Sequence, residues 1–406
     1  MVEPPLRCLL IARQGQEDRE AVVQDHLLEL AELARSRGFE VAIRRVLRRS
    51  DIATRTFYGS GQLEALAEEA ARQDIHHLIC DDELSGSQVN GIQKLTQLTC
   101  LDRTGLILSI FEQRAQTREA KAQVELARCN YELPRLKGAW THLERQGGGL
   151  GLRGGPGETQ IEVDRRLIRT RISQLKRELA HLEQVRETQR RGRPKGLPRV
   201  ALVGYTNAGK TTLLRALTGE GEPRDLLFAT LDTTTRKAWL GQTPNHAVEP
   251  SAFDPSHCLV ADTVGFIRKL PHQLVAAFRS TLGEVRTADA LLIVADAAHP
   301  DLEAHLRVVG DTLRDIGCAP EEDGAQPRLL ILNQVDRLHR PQKLDMKKRH
   351  PGAVQTCALK HQGIEEIRQW LRDLIPGAPE PRKLEAWELP EPQGKKIHHG
   401  DTENTE

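Results

Sequence analysis

The stretch Arg199-Val-Ala-Leu-Val-Gly-Tyr-Thr-Asn-Ala-Gly-Lys-Thr211 runs from an apolar strand directly into a glycine-rich loop. Residues 204–211 fit the pattern G-x-x-x-x-G-K-[ST], and a segment at 213–217 that suits a helix follows them. Glycines let backbone N–H groups close around phosphates, the lysine supplies a charge to the β and γ oxygens, and the last hydroxyl can bind Mg²⁺. The alternative is a glycine-rich turn with an incidental lysine, which the strand and helix context disfavours. The predicted phosphate-binding residues are Gly204, Tyr205, Thr206, Asn207, Ala208, Gly209, Lys210 and Thr211.

A second motif, Asp262-Thr-Val-Gly265, follows the next apolar strand, His257-Cys-Leu-Val-Ala261. A carboxylate at a strand end can hold a magnesium-bound water, and a glycine there can approach the γ-phosphate closely. A plain strand-end turn is the weaker alternative. The residues assigned to this second element are Asp262, Thr263, Val264 and Gly265.

Phe266 follows this motif, at the position where Ras-like enzymes place the glutamine that orients the attacking water. A phenyl ring cannot do that work. We therefore expect slow intrinsic hydrolysis that a partner accelerates by ordering the site, with Lys210, Thr230 and Gly265 as the catalytic residues of this chain.

Two further motifs suit recognition of a guanine base. Asn333-Gln-Val-Asp336 ends an apolar strand and resembles the N-K-x-D box of GTPases, with Gln334 in place of lysine; capping of the next helix is the alternative role. Asp336 is predicted to accept hydrogen bonds from the guanine N1 and N2 groups. Cys357-Ala-Leu359 resembles the S-A-x loop that contacts the guanine oxygen. The residues of the two motifs are Asn333, Gln334, Val335, Asp336, Cys357, Ala358 and Leu359.

A run of threonines between the first two motifs predicts a loop that orders when GTP is bound. The segment reads Phe228-Ala-Thr-Leu-Asp232 and continues into Thr233, Thr234 and Thr235. One of these threonines is expected to reach Mg²⁺ and the γ-phosphate. Spacing favours Thr230 but leaves its neighbours open. The predicted nucleotide-binding residues of this segment are Phe228, Ala229, Thr230, Leu231 and Asp232.

Outward from the loop, the alternation of apolar runs and helical stripes predicts a doubly wound α/β unit over residues 197–376 and a small α/β domain over 1–112. The unit at 197–376 has predicted strands at 199–203, 257–261, 290–295 and 328–332. The N-terminal domain reads β-α-β-α-β at 6–12, 20–37, 40–46, 62–73 and 77–80. The stretch 377–406 is rich in Pro, Glu and Lys and is expected to be a disordered tail.

Residues 113–196 are predicted to form a coiled-coil-like helical hairpin. A polar helix is expected at 111–144, and a second helix carries the seam Ile168, Ile172, Leu175, Leu179 and Leu182. Between them lies the glycine-rich loop 147–157, with Arg153 at its tip, which is either a flexible turn or a probe for a narrow RNA cleft. Residues 165–195 contain eleven Lys or Arg against three Glu, which suits RNA phosphates or a solvated helix face. The predicted RNA contacts are Arg153, Arg165, Arg166 and Arg169.

Composition narrows the class of protein without naming a partner. The chain has 406 residues, enough for several cores, and its 58 Lys and Arg nearly balance 57 Asp and Glu. Its seven cysteines form no C-x-x-C pair, which disfavours a zinc site and a disulfide framework. The apolar run at 8–12 is too short for a signal peptide or a membrane span. We expect a reduced, cytoplasmic protein and a monomer.

Beyond single motifs, nearly the whole chain resembles the HflX family of translational GTPases. The resemblance implies a Ras-like G domain after the hairpin, GTP hydrolysis to GDP, binding to the large ribosomal subunit and its rRNA, and splitting of stalled or idle ribosomes. It also implies Mg²⁺ held by Thr211 and Thr230, with Asp262 acting through water. The stretches that carry it are Tyr58-Gly-Ser-Gly61, Leu101-Asp-Arg-Thr-Gly-Leu-Ile107, Glu125-Leu-Ala127, GGLGLRGGPGETQIEVDRR at 148–166, Phe228-Ala-Thr-Leu-Asp232, and the motifs at 204–210 and 262–266.

Three positions depart from the family pattern: Gln334 for Lys, Cys357 for Ser, and Thr233 where Pro is common. In that family the N-terminal parts approach the peptidyl transferase region, which makes the loop 147–157 the candidate probe. A rival hypothesis is a nucleotide-gated RNA-binding module whose hydrolysis is incidental. A GTP-driven RNA-modifying enzyme is a distant third hypothesis.

Overall fold

The computed structural model describes residues 6–48, 52–140, 156–191, 197–219, 234–241, 257–269, 283–319 and 326–374. Its first sheet is parallel, in the order β2-β1-β3-β4. The strands are β1 (Leu6–Gln14), β2 (Phe39–Arg48), β3 (His77–Cys80) and β4 (Thr99–Asp102). The helices that follow or connect them are α1 (Glu20–Arg37), α2 (Ser60–Arg72), α3 (Gly86–Thr96) and α4 (Arg103–Arg114).

The first sheet forms because apolar strands alternate with helices that each bury one stripe. Helix α1 buries Val23, Leu27 and Leu30 against the sheet, and it ends at Gly38, whose φ of +100° is left-handed. Its bounds agree with the predicted helix at 20–37. The small α/β fold expected for the N-terminal part is confirmed, with α3, β4 and α4 as elements that the periodicity did not predict.

The single helix predicted at 111–144 is wrong, because the chain breaks between two helices. Helix α4 ends at Arg114, and α5 (Arg118–Trp140) begins after a short connection. Ala115 adopts an extended conformation with ψ of 112°, and the Thr117 hydroxyl accepts a hydrogen bond from the Ala120 N–H at 3.1 Å. That bond satisfies one of the free N–H groups at a helix start. In the sequence, Thr117 is a possible helix cap, but the helical composition on both sides of it hides the break.

Helix α5 packs against α6 (Pro156–Arg191), which confirms the helical hairpin. Ile172 and Leu175 of the predicted seam are buried, and Ile168 and Leu179 pack at the edge of the same cluster. Their partners on α5 are Ala122, Leu126, Cys129 and Leu133. Most of the glycine-rich loop 147–157 lies outside the described residues. Every helix in the described ranges is too short or too polar to span a bilayer.

The second sheet has the order β10-β9-β8-β5-β7-β6 and is parallel except for β6 at one edge. This arrangement confirms the doubly wound sheet. The strands are β5 (Arg199–Gly204), β6 (Thr234–Trp239), β7 (His257–Asp262), β8 (Ala290–Asp296), β9 (Arg328–Asn333) and β10 (Val354–Gln355). The helices are α7 (Lys210–Thr218), α8 (Gly283–Arg286), α9 (Leu302–Asp315), α10 (Arg340–Arg349) and α11 (Ile364–Asp373).

The hairpin is fastened to the first sheet through Asp102, which is fully buried at the end of β4. Its carboxylate accepts hydrogen bonds from the Tyr131 hydroxyl at 2.6 Å and the Arg135 guanidinium at 2.8 Å, both on α5. It also accepts from the backbone N–H groups of Leu84 and Gly105. A buried charge needs such partners, so this carboxylate fixes where α5 leaves the sheet.

We expect Asp102→Asn to lower the free energy of unfolding by about 3 kcal/mol, because it leaves the Arg135 charge without its buried partner. Urea unfolding followed by circular dichroism measures the change. The control is Asp345→Asn, which removes an exposed pair with Arg349 and is expected to cost less than about 0.5 kcal/mol. Equal midpoints for the two variants would contradict the role assigned to Asp102.

Candidate functional site

The predicted motifs lie at one edge of the second sheet. The loop at 204–211 follows β5, Asp262 ends β7, and Asn333 ends β9. Because these three strands are parallel, their carboxyl ends meet at the same edge, which is where α/β sheets bind ligands. The structure therefore brings together, on one face, residues that lie up to 132 positions apart between Gly204 and Asp336.

The glycine-rich loop is held so close to its neighbours that two glycines are required. A Cβ on Gly204 would lie 2.1 Å from the Val294 carbonyl oxygen of β8. Gly209 has a left-handed φ of +89°, and a Cβ there would lie 2.3 Å from the Asn333 amide nitrogen. Asn207 is also left-handed, with φ of +61°, a conformation that asparagine tolerates.

Lys210 begins helix α7 and is only 7% exposed. Its ammonium donates to the carbonyl oxygens of Tyr205 at 2.8 Å and Gly204 at 3.1 Å. An ammonium has three donors, so the third can serve a phosphate oxygen. Burial lowers the pKa of Lys210 to about 8, and the Asp262 carboxylate opposes that shift.

The side chains of Thr211 and Asp262 form an oxygen pair suited to a hard cation. The Thr211 hydroxyl donates to the Asp262 carboxylate at 2.7 Å, and Asp262 is 1% exposed. The neighbouring Thr263 hydroxyl donates to the Leu202 carbonyl at 2.6 Å, which fixes this strand end against β5. Hydroxyl and carboxylate oxygens are the ligands that Mg²⁺ prefers, so the residues present fit that ion.

The segment after Asp262 lies directly on the glycine-rich loop. The Phe266 N–H donates to the Gly204 carbonyl at 3.0 Å, and the Thr206 N–H donates to the Phe266 carbonyl at 2.8 Å. A Cβ on Gly265 would lie 3.0 Å from the Lys210 ammonium. The Phe266 residue is 2% exposed and belongs to the core. Its ring therefore packs inward and takes no part in holding a water.

Asn333 connects the two base-recognition motifs to the phosphate loop. Its amide donates to the Ala208 carbonyl at 3.0 Å, and its oxygen accepts from the Ala358 N–H at 3.1 Å. The Thr356 hydroxyl contacts the same oxygen at 3.3 Å. Asn333 is 2% exposed, so its side chain holds buried loops together by hydrogen bonds and does not cap a helix.

Gln334 makes a direct bond to the phosphate loop, at the position where the family pattern has lysine. Its amide donates to the Asn207 carbonyl at 3.1 Å. Its oxygen accepts from Arg337 at 2.7 Å, and the same arginine pairs with Asp296 at 3.1 Å. A hydrogen bond therefore joins the loop of Gln334 to the phosphate loop without a lysine, and Arg337 supplies a positive charge beside it.

Asp336 is partly exposed beside the loop at 357–359. The Cys357 thiol, and then the Lys360 ammonium at 3.2 Å, lower the pKa of Asp336 by stabilising its charged form. The carboxylate is therefore an acceptor at neutral pH. Val335, Cys357 and Ala358 are buried, whereas Leu359 is 73% exposed.

The remaining predicted site residues lie on α6 or outside the described residues. Residues 228–232, which include Thr230, and Arg153 fall outside. Thr234 and Thr235, two of the alternative threonines, belong to β6 and pair with Asp262 and Ala261. On α6, Arg166 and Arg169 are exposed and Arg165 is partly buried.

Part of the basic excess on α6 serves the hairpin itself. Arg171 makes two hydrogen bonds to Glu125 of α5, at 2.6 and 2.7 Å. Arg186 pairs with Glu119, also on α5, at 2.8 Å. These two arginines therefore stabilise the contact between α5 and α6.

An acidic surface of the N-terminal domain, formed by Asp25 and Glu29 of α1 and Asp81 after β3, contacts the segment after Gly265, and the sequence did not predict this contact. Arg268 pairs with Asp25 of α1 at 2.6 Å, and Lys269 pairs with Asp81 at 2.8 Å. Buried Arg103 bonds to Asp81 at 2.7 Å and also to Glu29. The feature of the sequence that could have predicted this contact is the pair of adjacent cations, Arg268 and Lys269, shortly after the second motif.

Known protein families and proteins that contain GTPase domains are similar to this chain over most of its length. Family models described as "GTP-binding GTPase N-terminal", "GTP-binding GTPase Middle Region" and "50S ribosome-binding GTPase" match residues 24–112, 114–193 and 199–334. A GTPase HflX of Flavobacterium psychrophilum is 44% identical over 81% of this chain and 75% of its own length. GTPase HflX of Magnetococcus marinus is 42% identical over 92% of this chain and 82% of its length. GTPase HflX of Escherichia coli is 42% identical over 79% and 72%.

Among solved structures, a GTP-binding protein from Sulfolobus solfataricus in complex with GDP aligns with a TM-score of 0.47 and 24% identity. The alignment covers 91% of this chain and 98% of that one.

We expect the affinity for GDP to fall as pH rises from about 7 to about 9, because the buried Lys210 loses its proton near pH 8 in the free protein. Phosphate favours the charged ammonium, so above that pKa binding must include uptake of a proton. The dissociation constant should then rise about tenfold per pH unit. Titration calorimetry in buffers of different ionisation enthalpy measures both the constant and the proton uptake.

The control for this pH dependence is Lys210→Arg, whose guanidinium stays charged throughout the range. Any pH dependence that comes from protonation of the nucleotide itself would be the same for the variant and the wild type. The same pH slope in the variant and the wild type would contradict the assignment to Lys210.

Proposed function

Because the chain belongs to the HflX family of GTPases, we propose that it uses GTP hydrolysis on the large ribosomal subunit to split stalled or idle ribosomes. The observation that carries this proposal is a nucleotide site and an arginine-bearing helical hairpin within one chain. The site has the chemistry for guanine nucleotide, and the hairpin has exposed cations suited to rRNA phosphates. We propose that it acts as a monomer in the cytoplasm, where ribosomes are.

In the proposed nucleotide complex, the residues of 204–211 surround the phosphates and Lys210 contributes its remaining donor to a phosphate oxygen. GTPases generally use Mg²⁺, and we propose that Thr211 binds it here, with Thr230 as a second ligand and Asp262 acting through water. Bound Mg²⁺ would neutralise charge that develops on the phosphate oxygens. Gly265, beside Lys210, offers its backbone N–H to the γ-phosphate.

The chain lacks a side chain that could orient the attacking water at the usual position. Phe266 occupies the position of that glutamine and is packed into the core, so it presents no polar group to the site. We infer that the large subunit completes the arrangement, either by ordering residues near Thr230 or by contributing a group of its own. Unstimulated hydrolysis is then slow.

The proposed RNA contacts are Arg165, Arg166 and Arg169 at the start of α6, together with Arg153 of the preceding loop. Cross-helix pairs hold Arg171 and Arg186 against α5, so these two arginines stabilise the hairpin. With few aromatic residues nearby, we expect recognition of RNA shape and phosphates and not stacking on bases.

We expect purified large ribosomal subunits to raise the rate of GTP hydrolysis at least tenfold, because they supply the catalytic help that Phe266 cannot. Phosphate release is measured with the protein alone, with large subunits, with small subunits and with bare tRNA. Lys210→Ala provides the blank. A rate unchanged by every ribosomal particle would reject this proposal in favour of a nucleotide-gated RNA-binding module.

A second arm of that experiment separates RNA binding from chemistry. Arg166→Glu with Arg169→Glu should weaken large-subunit binding in a salt-dependent way while leaving the unstimulated rate unchanged. Reversal of two exposed charges elsewhere, Lys347→Glu with Lys348→Glu on α10, is the matched control. Equal losses of binding for both pairs would argue against the α6 surface.

We expect Asp336→Asn to weaken GDP binding about 100-fold, because two charge-assisted hydrogen bonds to guanine, together worth about 3 kcal/mol, are lost. Xanthosine diphosphate should bind better to the variant than to the wild type, since the new amide can donate to the xanthine O2. Glu366→Gln, an exposed carboxylate on α11, is the control. Unchanged base preference in Asp336→Asn would show that another group reads the base.

A further inference from the structure

Tyr205 lies where the phosphate loop, the segment after Gly265 and helix α1 of the N-terminal domain meet. It is 4% exposed, and its ring stacks on His305 of α9 with centroids 3.6 Å apart and planes 4° from parallel. Its hydroxyl accepts a hydrogen bond from the Arg268 N–H at 2.9 Å and donates to the Glu29 carboxylate of α1 at 2.5 Å. The Tyr205 side chain, which belongs to the phosphate loop, thus contacts both the segment after Gly265 and the N-terminal domain.

The Tyr205 hydroxyl extends a backbone pairing that already joins the phosphate loop to the segment after Asp262. Phe266 exchanges two backbone hydrogen bonds with Gly204 and Thr206. The bond from the Arg268 N–H to the hydroxyl is the third in this series, two residues further along. Together they fix the backbone of Gly265 beside the Lys210 ammonium, at the place that a γ-phosphate would contact.

Glu29 gives the hydroxyl a fixed direction. This carboxylate bonds to the buried Arg103 and lies 3.6 Å from Arg268, so it is held by cations from both sides of the junction. Burial, and then the Glu29 charge, raise the pKa of Tyr205, which keeps the phenol protonated and donating at neutral pH. Its lone pairs therefore remain oriented for the Arg268 N–H.

The segment beyond Arg268 is held in a conformation that it would not favour alone. Lys269 has a left-handed φ of +52°, which is uncommon for a residue with a side chain. Its ammonium lies 2.8 Å from Asp81 and 3.5 Å from Asp82. Such backbone strain persists when the surroundings over-determine it, and it is concentrated at functional segments.

We propose that Tyr205 is a positioning residue for GTP hydrolysis: its hydroxyl, held by Glu29 of the N-terminal domain, sets the backbone at 265–268 for the reaction. The inference rests on hydrolysis at this phosphate loop and not on the ribosome. It also gives the acidic surface of the N-terminal domain a role in the chemistry, because Glu29 acts on the site through Tyr205.

The decisive variant is Tyr205→Phe, which removes the hydroxyl and leaves the ring to stack on His305. Loss of one hydrogen bond of ordinary strength should lower kcat about three- to tenfold, with KM and the dissociation constant of GDP within about twofold. Hydrogen exchange of the amides at 266–268 should become faster. Rates are measured without ribosomes, with Lys210→Ala as the blank, so failure of the ribosomal proposal would not affect the result.

The matched control is Tyr131→Phe, since Tyr131 also donates to a buried carboxylate, that of Asp102, at 2.6 Å. We expect this variant to leave kcat and the exchange at 266–268 unchanged, whatever it does to stability. An equal change of kcat in the two variants, or unchanged kcat in Tyr205→Phe, would overturn the proposal.

Glu29 provides an independent test of the link. Glu29→Gln keeps an oxygen that can accept from the phenol, whereas Glu29→Leu does not, so kcat should fall less in the first variant than in the second. Combining Glu29→Leu with Tyr205→Phe should lower kcat no further than the larger single effect. Full additivity of the two changes, or an equal loss in the Gln and Leu variants, would count against the proposal.

Discussion

The side-chain amide of Asn333 joins two loops at the end of β9, and the site at the sheet edge depends on it. Its nitrogen holds the phosphate loop at Ala208, and its oxygen holds the loop that carries Cys357 and Ala358. Because the Asn333 nitrogen would lie 2.3 Å from any Cβ at position 209, the phosphate loop can approach only with glycine there. The loops predicted to bind the guanine base and the phosphates are therefore positioned by the same short contacts.

Two of the three departures from the family pattern, Gln334 and Cys357, make contacts with neighbouring groups, and the third, Thr233, lies outside the described residues. Gln334 replaces a lysine yet still bonds to the Asn207 carbonyl, and Arg337 beside it retains a positive charge. Cys357 replaces a serine, and its thiol bonds to the Asp336 carboxylate. At both positions the residue of this chain interacts with a neighbouring loop.

The N-terminal sheet and the hairpin are joined to the rest through buried carboxylates. Asp102 fixes the direction of α5, and Glu29 and Asp81 surround Arg103 where the N-terminal sheet meets Arg268 and Lys269. Ionised groups are costly to bury unless they are paired, so each of these contacts constrains geometry strongly. One set of contacts joins α1 and the end of β3 to the segment after Gly265, and the other joins the end of β4 to α5.

The sequence was enough to predict the bounds of α1 and β3, most of the hairpin seam and the family, because these follow from local periodicity and from motifs of fixed spacing. It missed α3, β4, α4, β6 and β10. It did not reveal the break before Thr117, since the helical composition continues across it. The burial of the Phe266 ring in the core and the contact of Tyr205 with Glu29 became visible only in the folded protein. The pairs of Lys269 with Asp81 and of Arg268 with Asp25 join residues 188 and 243 positions apart. Such contacts depend on how separately formed sheets pack together, and no local pattern of residues encodes that packing.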